Sequence, residues 1–383
     1  MSRLRLRGLR LRALCGIGLL AMAEMAPAAD QASITGRRPF APKPFGTAIV
    51  TTLDHPWAMA FLPDGRMLVT LKMGQMILLS ADGQRRVAVA GIPPVNPAGQ
   101  GALGDVVPHP AFAKNHLVYF SYSSPGSPNG VVLARGKLTG DLDGARLAGV
   151  VTLYSGFPAR GGDSQYAGRI AFAPDGHLFF SIGERQKATP AQDPAGVLGK
   201  IVRLTAEGKP ARGNPLADAG FDPAVWSYGH RNPLGLAFDQ EGRLWEDEMG
   251  PMGGDEVNLI LPGRNYGWPL VSNGDNYDGS PIPDHPTRPD LEAPKVSWNP
   301  SISPSSLLVY SAGLFPTWRG KALVGALSGR SLILLDLAGD EAHEQARYDM
   351  TNRIRAVAQA PDGAVYILED GADARMLRLT PKN

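Results

Sequence analysis

The sequence predicts an all-β fold and, within that class, a six-bladed β-propeller. Three observations lead to this prediction: a composition rich in turn residues, four copies of one hairpin pattern, and the spacing of those copies. The 383-residue chain has 46 glycines and 34 prolines, and only 19% of its residues are charged. Frequent turns and a low charge favour many short strands over long helices or a coiled coil. The hydrophobic content of 43% is enough for a sizeable core.

The first element along the chain is a leader. Five arginines within the first twelve residues precede an apolar stretch, 13–23, and a small-residue segment, 26–29, follows it. This order is typical of a secretory signal peptide, and the apolar stretch is too short to span a bilayer. We therefore expect residues 1–29 to be a signal peptide and residues 30–383 to be a single propeller domain, located in the periplasm or secreted.

The charge of the chain changes sign when the leader is set aside. The leader carries five arginines and one acid, so 33 basic and 35 acidic residues remain in the mature chain. A nearly neutral chain has no basic patch of the nucleic-acid type, and no other apolar run approaches membrane-spanning length. We expect no nucleic-acid partner and no membrane insertion after cleavage. The only cysteine, Cys15, lies in the leader, which excludes disulfides and thiol catalysis from the mature chain.

Four segments repeat one pattern, a short apolar strand followed by a Pro-Asp-Gly type of turn and a second strand. They are residues 57–70, 170–183, 236–245 and 357–368. Proline sets the backbone of the first turn position and glycine accepts a positive φ, so each segment predicts a β-hairpin. The turn glycines are 111, 66 and 121 residues apart. These gaps correspond to two, one and two units of about 58 residues, and roughly 354 mature residues hold six units. A pair of packed sheets, the alternative, does not explain hairpins at this period.

Loops between such strands surround the central channel of a propeller and often carry its function. Five loop segments have suitable chemistry: 99–104, 161–169, 226–233, 248–269 and 352–355. Gln100 lies among glycines that permit the close approach of a ligand, although a β-bulge produces the same pattern. The acids and turn carbonyls of 248–269 suit calcium, or else they cap turns.

Two arginines, Arg353 and Arg355, fall on the same face of a predicted strand. Like charges repel at this distance unless an anion or a carboxylate lies between them, so the pair indicates an anionic ligand. A solvated edge strand is the alternative. The seven histidines are scattered without metal-binding spacing, and only His230 lies in one of the five segments.

Together these motifs resemble the soluble glucose/sorbosone dehydrogenases, and in particular the periplasmic aldose sugar dehydrogenases that use pyrroloquinoline quinone (PQQ). The resemblance covers nearly the whole mature chain and independently implies a six-bladed propeller. It rests on residues 55–57, 99–101, 168–170, 198–204, 226–233, 253–256, 265–269 and 353–355.

The resemblance implies a site and a reaction. PQQ would be held by Gln100, Arg231, Asn232, Arg353 and Arg355, with Tyr277 as a wall of the site. The carbonyls of Gly250 and Pro251 would face a calcium ion that contacts PQQ, and Glu256 with the backbone of Tyr266 would bind a second, structural calcium. The implied reaction oxidises the C1 hydroxyl of an aldose, with hydride passed to PQQ and electrons to an external acceptor.

The sequence departs from the family pattern at the reacting groups. The pattern has a histidine base four residues before Arg169, and here that position is Gln165, preceded by Ser164. An amide does not accept a proton near neutral pH, whereas an imidazole does. We therefore expect weak or altered activity, with Arg231 retained in the catalytic set and either Asp163 or a water held by Gln165 as the base.

Further departures lie nearby. Where the family pattern has a lysine, this sequence has Ser328, or else Arg330 takes the place of that lysine. In addition, Met249 and Met252 flank the Gly250–Pro251 pair. Two alternatives to the dehydrogenase stay open. One is a non-enzymatic propeller that binds PQQ or another small anion. The other is a calcium-dependent, lactonase-like hydrolase, which the paired arginines fit poorly.

Overall fold

The computed structural model describes Met1 and residues 32–126, 129–156 and 162–382. Apart from Met1, the predicted signal peptide lies outside the described residues. The described residues from Ala32 onward belong to one compact unit. Within the described part of the chain, none of the helices is long and apolar enough to cross a membrane.

The chain starts with two strands that join sheets formed later in the sequence, and then builds two blades. The initial strands are β1 (Ala32–Thr35) and β2 (Phe45–Leu53). Blade 1 consists of β3 (Pro56–Phe61), β4 (Met67–Leu71), β5 (Gln75–Leu79) and β6 (Arg86–Ala90). Blade 2 consists of β7 (Leu103–Pro108), β8 (Leu117–Ser123), β9 (Val131–Asp141) and β10 (Gly144–Ser155), with the one-turn helix α1 (Phe112–Asn115) after β7. Parallel pairing of β6 with β10 joins blades 1 and 2 into one eight-stranded sheet.

The middle of the chain forms blades 3 and 4. Blade 3 consists of β11 (Ala167–Phe172), β12 (Leu178–Ile182), β13 (Lys200–Leu204) and β14 (Val225–Tyr228). Blade 4 begins with β15 (Pro233–Phe238) and β16 (Leu244–Glu248), and a small ribbon of β17 (Met252–Gly253) and β19 (Gly274–Asp275) projects from it. It is completed by β18 (Asp255–Ile260) and β20 (Val296–Asn299), and β1 adds to β20 in parallel.

The last two blades close the ring. Blade 5 consists of β21 (Pro304–Val309), β22 (Ala322–Ala326), β23 (Ser331–Ala338) and β24 (Glu341–Asp349). Blade 6 consists of β25 (Ile354–Gln359), β26 (Val365–Glu369) and β27 (Ala374–Pro381), and β2 is its outermost strand. The early strand β2 and the last strand β27 thereby pair in one sheet. Three 3₁₀ turns lie in loops: Thr189–Gln192, His285–Thr287 and Pro316–Trp318.

The predicted hairpins are the first two strands of blades 1, 3, 4 and 6. Each is an antiparallel pair in the register that the turn requires. Blades 2 and 5 have α1 and the 3₁₀ turn Pro316–Trp318 at the equivalent place, so they lack the Pro-Asp-Gly pattern. This accounts for the double gaps in the spacing of the turn glycines.

The core is divided among the blade interfaces. Each of the six apolar clusters found in the described residues lies between two neighbouring blades, and the cluster of blades 6 and 1 completes the circle. The innermost strands β3, β7, β11, β15, β21 and β25 contact one another in the same cyclic order. Closure leaves few sheet edges exposed. The prediction of an all-β propeller is confirmed.

One buried arginine links five of the innermost strands. Arg169 on β11 donates hydrogen bonds to Leu234 O (2.5 Å) and Ser305 O (2.6 Å) and forms an ion pair with Asp105 at 3.1 Å. Its guanidinium also lies 4.2 Å from the centre of the Trp57 ring. These partners belong to blades 4, 5, 2 and 1. Arg169 of blade 3 therefore joins the innermost strands of five blades near the starts of those strands.

Candidate functional site

A cavity of about 400 Å³ lies on the axis of the propeller. All six blades contribute to it, through residues just before or at the start of an innermost strand and residues just after the second strand of a blade. The cavity is in the size range of small-molecule sites. Four of the predicted PQQ-binding residues line it together: Gln100, Asn232, Arg353 and Arg355.

The two arginines are held by one carboxylate. Asp370, which follows β26, accepts from Arg353 Nε at 2.8 Å and from Arg355 Nε and Nη2 at 2.9 and 2.8 Å. Burial alone would raise the pKa of Asp370, but Arg355 and Arg353 outweigh it and hold this pKa below its usual value. One carboxylate shared by two guanidinium groups leaves a net positive charge in the cavity. The arrangement therefore suits an anionic ligand while preventing direct repulsion between the arginines.

Two amide side chains line the same cavity as the arginines. Gln100 is fixed by its N–H bond to Asp163 O (2.6 Å) and by its Oε1, which accepts from Gln165 N at 2.7 Å. The side chain of Asn232 is buried, and its Oδ1 has no hydrogen-bond partner among the described residues. This oxygen is inaccessible to solvent, so it lies within the wall beside Gly183, and other atoms of Asn232 line the cavity.

Gln165 turns away from the cavity. Its Oε1 accepts from the backbone N–H of Gln186 at 2.8 Å, and it is not among the residues that line the cavity. Its backbone has φ of 50°, and Arg185, Gln186 and Ala188 on the facing loop also have positive φ. Strained non-glycine residues cost about 1–3 kcal/mol each and persist where the surroundings impose them. Two strained loops thus lock Gln165 in place.

Asp163, the predicted alternative base, has its Oδ1 fully engaged. It accepts from Asn96 Nδ2 (2.9 Å), Asn129 Nδ2 (3.1 Å) and Tyr166 OH (3.0 Å). Three donors on one oxygen favour a structural role for this carboxylate. Like Gln165, Asp163 lies behind the cavity wall.

Arg231 is directed toward the loop after β16. Its Nη1 donates to Met249 O and Gly250 O, both at 2.8 Å, and its Nη2 donates to Tyr277 OH at 3.0 Å. Tyr277 is 64% exposed. Neither Arg231 nor Tyr277 lines the axial cavity, and Arg231 already occupies the Gly250 carbonyl that the sequence assigns to calcium.

Three of the four predicted metal-binding residues meet around a second, very small cavity. Its volume is about 10 Å³, room for one ion or water molecule, and Gly250, Glu256 and Tyr266 line it together with Arg231 and Glu248. Pro251 does not line it. The ring of Tyr266 is stacked on His230 with 4.6 Å between the centres.

A buried acidic cluster adjoins this small cavity. His230, Glu246 and Glu248 offer ligand atoms within 4.8 Å of one another. On the paired strand β18, Asn258 Nδ2 donates to Glu246 Oε2 (3.0 Å) and to Glu256 Oε2 (3.4 Å). Glu246 Oε1 and Asn258 Oδ1 have no partner among the described residues. Burial first, and then the neighbouring charge of Glu248, raises the pKa of Glu246 well above its usual value. Unpaired carboxylate and amide oxygens in this arrangement are the donor set of a hard cation.

The sequence reasoning missed several residues of both sites. Asp370 and Lys72 line the axial cavity, and Lys72 Nζ donates to Gly99 O at 2.8 Å. The alternation within β16 could have identified Glu246, because Glu246 and Glu248 face the same side as Glu256 and Asn258 on β18. No local signal marks Asp370, since its role depends on the pairing of β25 with β26.

Comparison with known proteins identifies the family and agrees with this fold. The model of the glucose/sorbosone dehydrogenase family matches residues 53–378. The aldose sugar dehydrogenase YliI of Escherichia coli is 37% identical over 340 residues, which cover 86% of this chain and 91% of that protein.

Solved structures give the same result. The soluble aldose sugar dehydrogenase of Escherichia coli in its apo-form superposes with a TM-score of 0.82 at 35% identity, covering 88% of this chain and all of that one. The PQQ-bound aldose sugar dehydrogenase of Streptomyces coelicolor has a TM-score of 0.73 at 30% identity, covering 89% of this chain and all of that one. The family predicted from the motifs is confirmed: this protein belongs to the glucose/sorbosone dehydrogenases.

Proposed function

We propose that this protein is a PQQ- and calcium-dependent dehydrogenase that oxidises the C1 hydroxyl of aldose sugars and passes the electrons to an external acceptor. The observation that carries the proposal is the axial cavity, where a pair of arginines with one shared carboxylate lies in the same lining as two amide side chains, Gln100 and Asn232. The relatives named as sugar dehydrogenases, one of them PQQ-bound, support the choice of cofactor and substrate class.

The residues present fit PQQ, a planar tricarboxylate. Arg353 and Arg355 would bind its carboxylates, because guanidinium groups are permanently charged and pair with carboxylates in a fork geometry. Gln100 and Asn232 would bind its carbonyl oxygens through their amide groups. The bound quinone supplies a two-electron acceptor for the hydrogen on the sugar C1.

The small cavity and its acidic cluster fit calcium. Glu256 and the backbone of Tyr266 would bind the ion, and the neighbouring carboxylates of Glu246 and Glu248 would neutralise its charge. Calcium at the Gly250 and Pro251 carbonyls, in contact with PQQ, requires Arg231 Nη1 to release Gly250 O. We include periplasmic or extracellular localisation in the proposal, on the strength of the leader pattern in residues 1–29.

The experiment is a titration of apo-protein with PQQ in the presence of calcium, followed by the absorbance of bound quinone. The double variant Arg353→Ala/Arg355→Ala should lose binding while retaining the circular dichroism of the wild type. Arg378→Ala is the matched control, because Arg378 also pairs with an aspartate of blade 6, Asp362 at 2.6 Å, but outside the cavity. Equal affinity in wild type and double variant would contradict the proposal.

A second candidate function, PQQ or anion binding without catalysis, is favoured by one observation. The position of the usual base holds Gln165, whose amide is bound to Gln186 N. A protein that binds PQQ tightly, yet never reduces it when sugars are added, would support this candidate over the dehydrogenase.

A further inference from the structure

Oxidation of a sugar hydroxyl requires a group that accepts the hydroxyl proton, and neither sequence-predicted candidate reaches the axial cavity. Gln165 is an amide held by Gln186 N, and Asp163 Oδ1 already accepts three hydrogen bonds behind the wall. The acceptor must therefore be sought among the ionisable residues that do line the cavity. They are His55, Lys72, Tyr166, Arg353, Arg355 and Asp370.

Most of these groups are unsuitable because of their charge or their partners. Lys72 and the two arginines are cations, and Asp370 is paired with both arginines, which keep its pKa low. Tyr166 OH donates to Asp163 Oδ1, and burial is the main cause that raises the pKa of this phenol to about 12. A phenol with that pKa is a poor base near neutral pH, where proton transfer is most efficient for groups that titrate nearby.

His55 has the partner and the free nitrogen that a general base needs. Its Nδ1 lies 2.7 Å from Asp54 Oδ1, and because the carboxylate can only accept, Nδ1 carries the proton. The lone pair is then on Nε2, which has no hydrogen-bond partner among the described residues. A carboxylate bonded to Nδ1 favours this tautomer, as the buried aspartate does in hydrolytic triads, but here both side chains are exposed, His55 by 44% and Asp54 by 67%.

The backbone of His55 is held in an unfavourable conformation. Its φ is 47°, although it is neither glycine nor asparagine and is followed by Pro56. Two hydrogen bonds impose this shape: His55 N donates to Gly371 O (2.8 Å), and Lys72 N donates to His55 O (2.9 Å). These contacts connect His55 to the loop that carries Asp370. Local strain of this kind concentrates at functional sites, so the outlier supports a role in function.

We propose that His55, oriented by Asp54, is the proton acceptor for the sugar hydroxyl and replaces the histidine that Gln165 has displaced. The proposal rests on the proposed function, which supplies the two-electron oxidant PQQ. The O–H bond of the C1 hydroxyl breaks and its proton forms a bond to Nε2. The C1–H bond breaks, its hydrogen and both electrons leave to PQQ, and C1 and oxygen form a double bond. The imidazolium then returns its proton to solvent.

The test compares His55→Asn with a matched control in PQQ-loaded, calcium-containing protein. Asparagine tolerates positive φ and keeps the backbone shape while removing the base. His177→Asn is the control, because His177 also pairs with an aspartate, Asp175 at 2.9 Å, in a turn outside the cavity. We expect His55→Asn to bind PQQ with unchanged affinity and to lose about 10²–10⁴-fold in kcat, with KM nearly constant.

A further kinetic measurement separates catalysis from structure. The pH dependence of kcat between pH 5 and 8 should differ between wild type and His55→Asn, because asparagine cannot take up the proton that the imidazole accepts. The charged groups around the ring are the same in both proteins, namely Asp54, Lys72, Arg353, Arg355 and Asp370.

A measurement independent of turnover follows the imidazole itself. Diethyl pyrocarbonate should modify His55 in the apo-protein, as identified by peptide mass spectrometry, and bound PQQ should protect it. Wild-type turnover in His55→Asn, or equal modification with and without PQQ, would overturn the assignment of His55 while leaving PQQ binding intact. Failure of the wild type to bind PQQ would instead overturn the proposed function, and this assignment with it.

Discussion

Removal of the Arg169 side chain should destabilise the whole propeller rather than one blade. In Arg169→Met, the inner strands of four other blades lose the guanidinium as a common partner. The groups left without it are two backbone carbonyls, the Asp105 carboxylate and the face of Trp57. Methionine fills similar space without charge, so the loss is mainly polar. Breaking a buried ion pair by removing one partner costs about 3–5 kcal/mol, because the other charge is left unpaired.

This cost can be converted to a melting temperature. The entropy of unfolding is about 2.1 cal/mol/K per residue, or about 0.7 kcal/mol/K for a domain of roughly 350 residues. A loss of about 3–5 kcal/mol then lowers Tm by about 4–7 °C. The control is Arg378→Met, which breaks a surface pair with Asp362 and should cost under about 1 kcal/mol.

The pH dependence of this loss provides a second signature. In the wild type, burial raises the pKa of Asp105 despite the attraction of Arg169. Removing Arg169 raises the pKa of Asp105 further, so Asp105 binds a proton more tightly in the folded variant than in the unfolded chain. The stability of the variant therefore falls as pH rises from the unfolded-state pKa of Asp105 to its folded-state pKa. The deficit of Arg169→Met should therefore be smaller at pH 5 than at pH 8.

Thermal unfolding at the two pH values, followed by tryptophan fluorescence, measures both effects. A Tm within 1 °C of the wild type, or a deficit that does not change with pH, would refute the assignment of Arg169 as the link between blades.

Three further predictions concern the two sites. Chelation of calcium should lower Tm, because it removes up to about 2.7 kcal/mol of free energy of unfolding when free calcium was at 100 Kd. Glu256→Ala should remove most of this sensitivity. A melt unaffected by chelator would mean that the acids only cap turns. Glu246→Gln should leave the apo-protein melt nearly unchanged, because the pKa of Glu246 is already raised by burial, yet abolish most of the calcium-dependent rise measured by calorimetry; a full calcium response would contradict this. Asp370→Asn should lower stability at pH 7, because the pKa of Asp370 lies below its usual value and its stabilising effect is lost as pH falls through that lowered pKa. In denaturant titrations the deficit should shrink as pH falls through the lowered pKa of Asp370; a constant deficit would show that the pairing with Arg353 and Arg355 contributes nothing.

Much of the fold could be predicted because local and global patterns coincide. Each Pro-Asp-Gly turn dictates a hairpin, and the spacing of Gly65, Gly176, Gly242 and Gly363 gives the number of units between them. The two blades without the pattern could be counted only by arithmetic, since blade 2 uses α1 at that place and blade 5 uses a 3₁₀ turn. The addition of β2 to blade 6 is a long-range pairing that no local pattern encodes.

The site was predictable to a smaller extent. The shared face of Arg353 and Arg355 follows from strand periodicity, but the carboxylate between them comes from the neighbouring strand. The orientation of Arg231 toward Gly250 O depends on the path of the loop after β16, which the motif does not specify. Likewise, the resemblance shows that Gln165 stands where the family pattern has a histidine base, whereas only the folded structure shows that His55 lines the cavity.

If the axial cavity holds a quinone that oxidises sugars, substrate alone must reduce that quinone within one turnover. PQQ-loaded protein with calcium is mixed anaerobically with glucose, without any dye, and the spectrum of the bound quinone is followed in a single turnover. We predict conversion of the oxidised to the reduced spectrum in wild type and in His177→Asn, with a rate lower by about 10²–10⁴-fold in His55→Asn. Bound PQQ whose spectrum stays oxidised in the wild type, with every aldose tried, would contradict it.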